Sequence, residues 1–228
     1  MSKGGALTKA KAAKFWTVVQ GHVKGLQATA QALSDPATRD AATQQLYDLA
    51  PVLGKAAQQF NKELGVEFNP ISPPEGSLLE ILVTCDGNGA GADAVRELVA
   101  AAPALPAGLN VRAFRPPMPP EVIQASEVEV GGKSVKLSDI RYAAAPSAQH
   151  AGRYDIQCFV PWQAVAPQDR GSPGSVIAML ALGQGIGEER LLEKVGEVRI
   201  ELTFKPAEQG VPSWELIPVL DQAAAARA

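Results

Sequence analysis

The chain has 228 residues, 46% of them hydrophobic and 20% charged, with a net charge of -3. That is long enough to bury a sizeable core and too apolar for a disordered chain. Lysines near the start are followed by no uninterrupted apolar run, so neither a signal peptide nor a membrane span is expected.

The first 65 residues read as a helical hairpin. Phe15, Val19, Val23, Leu26, Ala30 and Leu33 recur at three- and four-residue steps and line one helix face. Asp35-Pro36 reads as an N-cap followed by a first-turn proline. Ala42, Leu46, Leu49, Leu53, Ala56, Phe60 and Leu64 then repeat the stripe, and Gly65 reads as a stop. Pro51 falls opposite the leucines, which predicts a kinked helix that continues past it.

Charge is unevenly spread along this arm. Before Asp35 there is no acid, only Lys3, Lys9, Lys11, Lys14 and Lys24, so the remainder carries 16 bases against 24 acids. A basic arm on an acidic body can meet nucleic acid, an anionic membrane or its own acidic surface. Nucleic acid is not expected, because the arm has no arginine and the body repels phosphates.

Beyond the hairpin the pattern becomes mixed. Strands are expected at Val66–Phe68, Leu78–Cys85 and Leu109–Phe114, with a helix over Ala92–Ala101. RPPMPP punctuates the chain, and EVIQASEVEVGGKSVKLSDIRY places Gly131-Gly132 between two alternating runs, a hairpin signal. Tyr154–Val160 reads as a strand, Ser172–Leu182 as a buried helix opened by Ser172 and Pro173, and Gly196–Phe204 as a strand. Trp214–Val219 reads as a further edge strand, and the tail as loose or weakly helical. No internal repeat stands out. The fold class is therefore α+β: a helical hairpin (1–65) packed with a mixed sheet domain (66–220) containing one βαβ unit, a hairpin and a further helix, then a tail (221–228).

The stretch TCDGNGAGADAVRELV poses the main chemical question. Gly87, Gly89 and Ala92 fit G-x-G-x-x-A between a strand and a helix, the setting of a phosphate-binding turn. Asp86 stands immediately before it and would repel a pyrophosphate. The second strand ends in Phe114-Arg115-Pro116 where a ribose-binding acid belongs, and the chain then leaves for a hairpin. The plainer reading is that the glycines supply positive φ and close packing. A second cluster, Gly183-Gln184-Gly185-Ile186-Gly187, precedes Glu188 and Glu189 and reads as a helix stop and restart.

If the two strands flanking this turn are parallel neighbours, Asp86, Asn88 and Arg115 finish at one sheet edge, where open α/β units place ligands. An Asp86–Arg115 ion pair pinning two loops is the competing reading.

TCDGNGAGADAVRELVAAAPALPAGLNVRAFRPP also resembles the signature of an uncharacterised bacterial protein family with no assigned function. Its members carry a strand ending in a D-G-N turn, a helix running into "AAP-LP", and a strand ending "AFRPP". The likeness extends from Phe15-Trp16 through FNKELGVEF, EVEVGGKSVKLSDIRY and YDIQCFVPW to ALGQGIGEERLLEKVGEVRIE, with Ala113–Pro117 its most specific part. The chain departs at Ala107-Gly108-Leu109, where the family more often shows a Gly-Trp pair, and in its extra glycines around Gly89. The resemblance implies an α+β architecture with a helical arm, and no activity.

Most catalytic sets lack their parts. The only histidines are His22, at the edge of the first stripe, and His150, in a loop without a local carboxylate or cysteine partner. No metal site or cofactor is expected. Ser175 lacks the second glycine of a nucleophile elbow. Cys85 and Cys158 fall in or beside apolar strands and read as buried free thiols, which suits a bacterial-type cytoplasm. Gly21 and Gly25, one turn apart on the first helix's outer face, and Trp16 beside its stripe are candidate partner contacts. The expectation is a non-catalytic cytoplasmic protein-interaction protein: an adaptor, regulator or immunity-type partner. A homodimer through the N-terminal helices is left open. The alternative is a small polar ligand- or anion-binding protein, with an enzyme not excluded, working at Asp86, Asn88 and Arg115.

Overall fold

The computed structural model describes residues 3–71, 78–130, 133–165 and 175–225. They form an α+β protein with two compact units, 1–115 and 116–228.

In the first unit the hairpin consists of α1 (Lys3–Ala32) and α2 (Arg39–Phe60). Phe15, Val19, Leu26 and Ala30 of α1, and Ala42, Leu46, Leu53 and Ala57 of α2, are buried. Burying each large side chain of this set contributes about 1.5–3 kcal/mol. The second helix starts later than Asp35 predicts. Asp35 caps the connecting turn instead, accepting from the Ala37 amide at 2.9 Å, while Thr38 Oγ1 donates to the Ala32 carbonyl at 2.7 Å. Pro51 lies on the exposed side of α2, and the helix runs through it. The helix ends at Asn61, whose side chain accepts from the Glu63 amide at 3.0 Å. Gly65 therefore opens a strand and does not stop the helix.

That strand, β1 (Gly65–Ile71), pairs antiparallel with β2 (Leu78–Thr84). After helix α3 (Ala92–Ala100), β3 (Leu109–Ala113) pairs parallel with β2. Leu79, Ile81 and Val83 alternate onto one face of β2 and are fully buried. The register gives their face Phe68 and Val66 from β1, and all three helices pack on this sheet.

The second unit opens with a short helix, α4 (Pro120–Ala125), over residues expected to begin the hairpin strand. Strands β4 (Glu127–Val130) and β5 (Lys133–Lys136) form that hairpin; its Gly131-Gly132 turn lies outside the described residues. Then come β6 (Arg141–Pro146), β7 (Tyr154–Pro161), α5 (Ser175–Ile186), α6 (Glu188–Lys194) and β8 (Val195–Thr203). Ser172 and Pro173, expected to open α5, also lie outside the described residues. The α5–α6 break falls at Gly187, whose φ is 83°. Gly183 and Gly185 stay within α5, and a Cβ on Gly185 would meet Ser213 Oγ at 1.9 Å, so the helix packs there only as glycine.

No strand forms over Trp214–Val219. Those residues make a 3₁₀ turn (Ser213–Leu216) and the start of α7 (Ile217–Ala225). An isolated bridge between Tyr142 and Val211 is the nearest equivalent. The core gathers Ile140, Tyr142, Ile156, Cys158, Val160, Ile177, Leu182 and Leu220.

Both units use one sheet plan. In each, an outer strand pairs antiparallel with the middle one, which pairs parallel with the third after a helical crossover. The recurrence is topological, and no repeat is legible in the residues. Among the described residues no helix is long and apolar enough to cross a membrane.

One irregularity anchors the second sheet. Pairing of β7 with β8 shifts between Tyr154 and Ile156, leaving Gly196 and Glu197 opposite Asp155. The Asp155 carboxylate fills the break by accepting from the Glu197 amide at 3.0 Å, and a Cβ on Gly196 would meet that oxygen at 2.6 Å. The Glu197 amide, then the Ser147 hydroxyl, hold the Asp155 carboxyl below its ordinary range. A lowered folded-state value stabilises the fold above the ordinary carboxylate range, and this contribution is lost as pH falls from that range through the lowered value. Asp155→Ala should therefore lower the urea midpoint at neutral pH. It should also flatten the loss of stability below about pH 5, so that mutant and wild-type midpoints converge once pH is below the lowered Asp155 value.

Candidate functional site

The parallel pairing of β2 and β3 brings the residues after both strands to one edge. Each strand leaves through a left-handed residue, Asp86 at φ 51° and Phe114 at φ 66°. A bulky aromatic in that region is strained and persists where its surroundings over-determine it. Phe114 is held by its amide, which donates to the Val83 carbonyl at 2.9 Å, by burial, and by the Arg96 guanidinium 5.0 Å above its ring.

The turn at Phe114 delivers Arg115 to two carboxylates. Its Nε donates to Glu67 Oε2 at 2.8 Å and its Nη2 to Glu67 Oε1, while Nη2 also reaches Asp86 Oδ1 at 2.8 Å. A bidentate fork onto Glu67 of β1, with a branch to Asp86, ties the ends of all three strands. Asn88 does not join them. Its side-chain amide donates to Glu63 at 2.7 Å and its carbonyl oxygen accepts from the Ala90 amide at 3.1 Å. Of the three expected site residues, Asp86 and Arg115 come together and Asn88 points elsewhere.

The glycine turn divides its labour. Gly87, at φ 74°, follows Asp86 in the left-handed region, and the Asn88 amide closes the bend onto the Cys85 carbonyl at 2.9 Å. Positive φ at both central residues marks a mirror-image turn. Gly91 is needed for space: a Cβ there would meet Cys85 Cβ at 2.6 Å. Gly89 has open space around it. The amides of Asp86, Asn88, Ala90 and Gly91 all donate to this chain's own oxygens, so they are not gathered around an open anion seat.

The same sheet carries a polar ladder that sequence reasoning missed. The register sets Asn69, Glu80 and Asn110 side by side across β1, β2 and β3. Glu80, 1% exposed, accepts from Asn69 at 2.9 Å, from Asn110 at 3.3 Å and from Arg112 Nε at 3.0 Å. The one signal in the sequence is a lone acid in the apolar run LLEILVT.

The remaining candidates are dispersed. Trp16, expected as an exposed anchor, is buried, stacks edge-on against Phe15 and donates its indole N–H to the Leu98 carbonyl at 2.9 Å. It joins α1 to α3. Gly21 and Gly25 are exposed with open space around them. Cys85 and Cys158 are both buried. Burial pushes the Cys158 thiol up to about 12, offset in part by a hydrogen bond with Tyr142, whose hydroxyl burial also raises. His150, read as lacking a local carboxylate, does have one: it flanks Gly196 together with Asp155 and Ser147, because the β6–β7 turn folds it back. Among the described residues no three His, Cys, Asp or Glu side chains gather to hold a metal ion.

Two measurements test this account of the edge. Gly91→Ala should destabilise by about 1–3 kcal/mol through overpacking, whereas Gly89→Ala should stay within about 0.5 kcal/mol of wild type. Equal effects in chemical denaturation would contradict the division of roles. Arg115→Ala should cost on the order of 1 kcal/mol, since the fork is partly solvent-screened.

Comparison with protein-family models, curated proteins and solved structures finds no match to this chain, so its chemistry is read from its own residues.

Proposed function

We propose that this chain is a non-catalytic protein-interaction protein, an adaptor, regulator or immunity-type partner, that engages another protein through its helical hairpin. One observation carries the reading. Tyr47 of α2 stands 70% exposed at the lip of a groove of about 420 Å³ between α2 and β1. Leu33, Leu46, Ala50, Phe68 and Pro70 supply most of its wall. An exposed tyrosine over an apolar depression is the kind of anchor that dominates protein interfaces.

Two further points support the reading over a ligand site at Asp86, Asn88 and Arg115. The Arg115 fork is already directed at Glu67 and Asp86, and the Asn88 amide is directed at Glu63. A polar ligand entering there would have to displace those bonds. Because Trp16 is buried, the proposed contact is Tyr47.

Tyr47→Asp replaces an exposed group and should leave the melting temperature unchanged. It should abolish a partner that wild type captures by photo-crosslinking from a benzophenone placed at Gln44. Retention of the same partner by the variant would overturn the reading. So would polar metabolites that raise the melting temperature of wild type but not of Arg115→Ala.

A further inference from the structure

The opposite end of the hairpin has a second, smaller depression with a different chemistry. Phe15, Val18 and Ala56 line it, Gln59 borders it, and Lys11 and Lys14 stand at its rim; its volume is about 170 Å³. Lys9 and Lys24 extend the exposed basic surface along α1, and Lys55 adds to it from α2. No acid occurs before Asp35, and none lies in α2 after Asp48. Asp48 precedes Ala56 by about two helical turns, toward the hairpin loop. The apolar floor is thus bordered by the ammonium groups of Lys11 and Lys14, and neither helix lines it with a carboxylate.

We infer that this groove docks an acidic segment of a partner protein, seating one aliphatic side chain on Phe15, Val18 and Ala56 while flanking carboxylates meet Lys11 and Lys14. The proposal rests on the reading of the hairpin as an interaction surface and gives that surface a partner chemistry. Size and charge select the occupant. A volume of about 170 Å³ is below the roughly 300–1,000 Å³ of small-molecule pockets and suits a single side chain. Opposed charge adds attraction and speeds encounter. A membrane-surface helix needs a broad apolar face to insert, whereas Val18, at 37%, is the large apolar side chain that the described part of α1 exposes.

The test uses the full chain and a fluorescein-labelled peptide alternating glutamate with leucine, read by fluorescence anisotropy. Lys11→Glu combined with Lys14→Glu should weaken binding roughly tenfold or more, and Val18→Asp should weaken it comparably by occupying the floor. Lys24→Glu, a charge reversal of the same sign away from the groove, should have little effect. All four positions are exposed, so circular dichroism should show unchanged melting. Three outcomes overturn the proposal: no binding by wild type, equal weakening by Lys24→Glu, or displacement of the peptide by phosphatidylserine vesicles with co-sedimentation of the protein. The Tyr47 result separates this failure from that of the broader reading. A partner still lost on Tyr47→Asp while the peptide fails to bind removes the acidic groove alone, whereas a Tyr47-independent partner removes the broader reading.

Discussion

The Arg115 clasp is the constraint that gathers the strand ends of the first unit. One guanidinium reaches a carboxylate on the antiparallel strand and another in the turn after the middle strand, while the preceding Phe114 amide bonds the Val83 carbonyl. Left-handed backbone at Asp86 and Phe114 costs free energy at both strand exits. The fork, the buried phenyl ring and the Val83 pairing offset that cost together. Because Gly91 lets α3 start directly against Cys85, the crossover helix begins in register with the clasp. At the corner that most resembles a nucleotide cradle, the amides of Asp86, Asn88, Ala90 and Gly91 are turned onto the chain's own oxygens.

The second unit solves the same topological problem at the opposite end of its strands. Its bulge lies where β7 and β8 begin, and the Asp155 carboxylate replaces the missing ladder partner. Two sheets of one plan thus carry different fastenings: an ion-pair fork where strands finish, and an aspartate plug where they start. Sheet twist and crossover geometry favour the common plan, while local side chains decide where each sheet is secured. Among the described residues the helical hairpin has no counterpart in the second unit, and the exposed tyrosine and the basic rim both belong to it.

How much of this was legible depends on the range of the interaction. The stripes of α1 and α2 could be read because helical periodicity writes burial into spacings of three and four. The β2–α3–β3 crossover was legible because two apolar runs flank an amphipathic helix. The α4 turn was missed because Glu121–Ala125 is too short to show a period and its adjacent Val122 and Ile123 resemble a strand. Trp214–Val219 was misread because aromatic and branched residues favour strands on propensity, while Pro212 and Ser213 start a helical turn instead. Alanine-rich Arg141–Pro146 gave no strand signal and was overlooked. The site was least legible of all. Arg115 and Glu67 are 48 residues apart, and Arg112 and Glu80 are 32 apart, so only the sheet register makes them neighbours.

The interior sulfur has a practical consequence. Both native cysteines are buried within the packed units, and Cys158 holds its proton far above neutrality. Thiolate is the species that maleimides and iodoacetamide attack, so burial of both sulfurs and the raised Cys158 thiol should slow the reaction of the folded chain with such reagents. A single cysteine engineered onto the hairpin surface would then carry a spin label or fluorophore at one site without first stripping the natural sulfhydryls from the core.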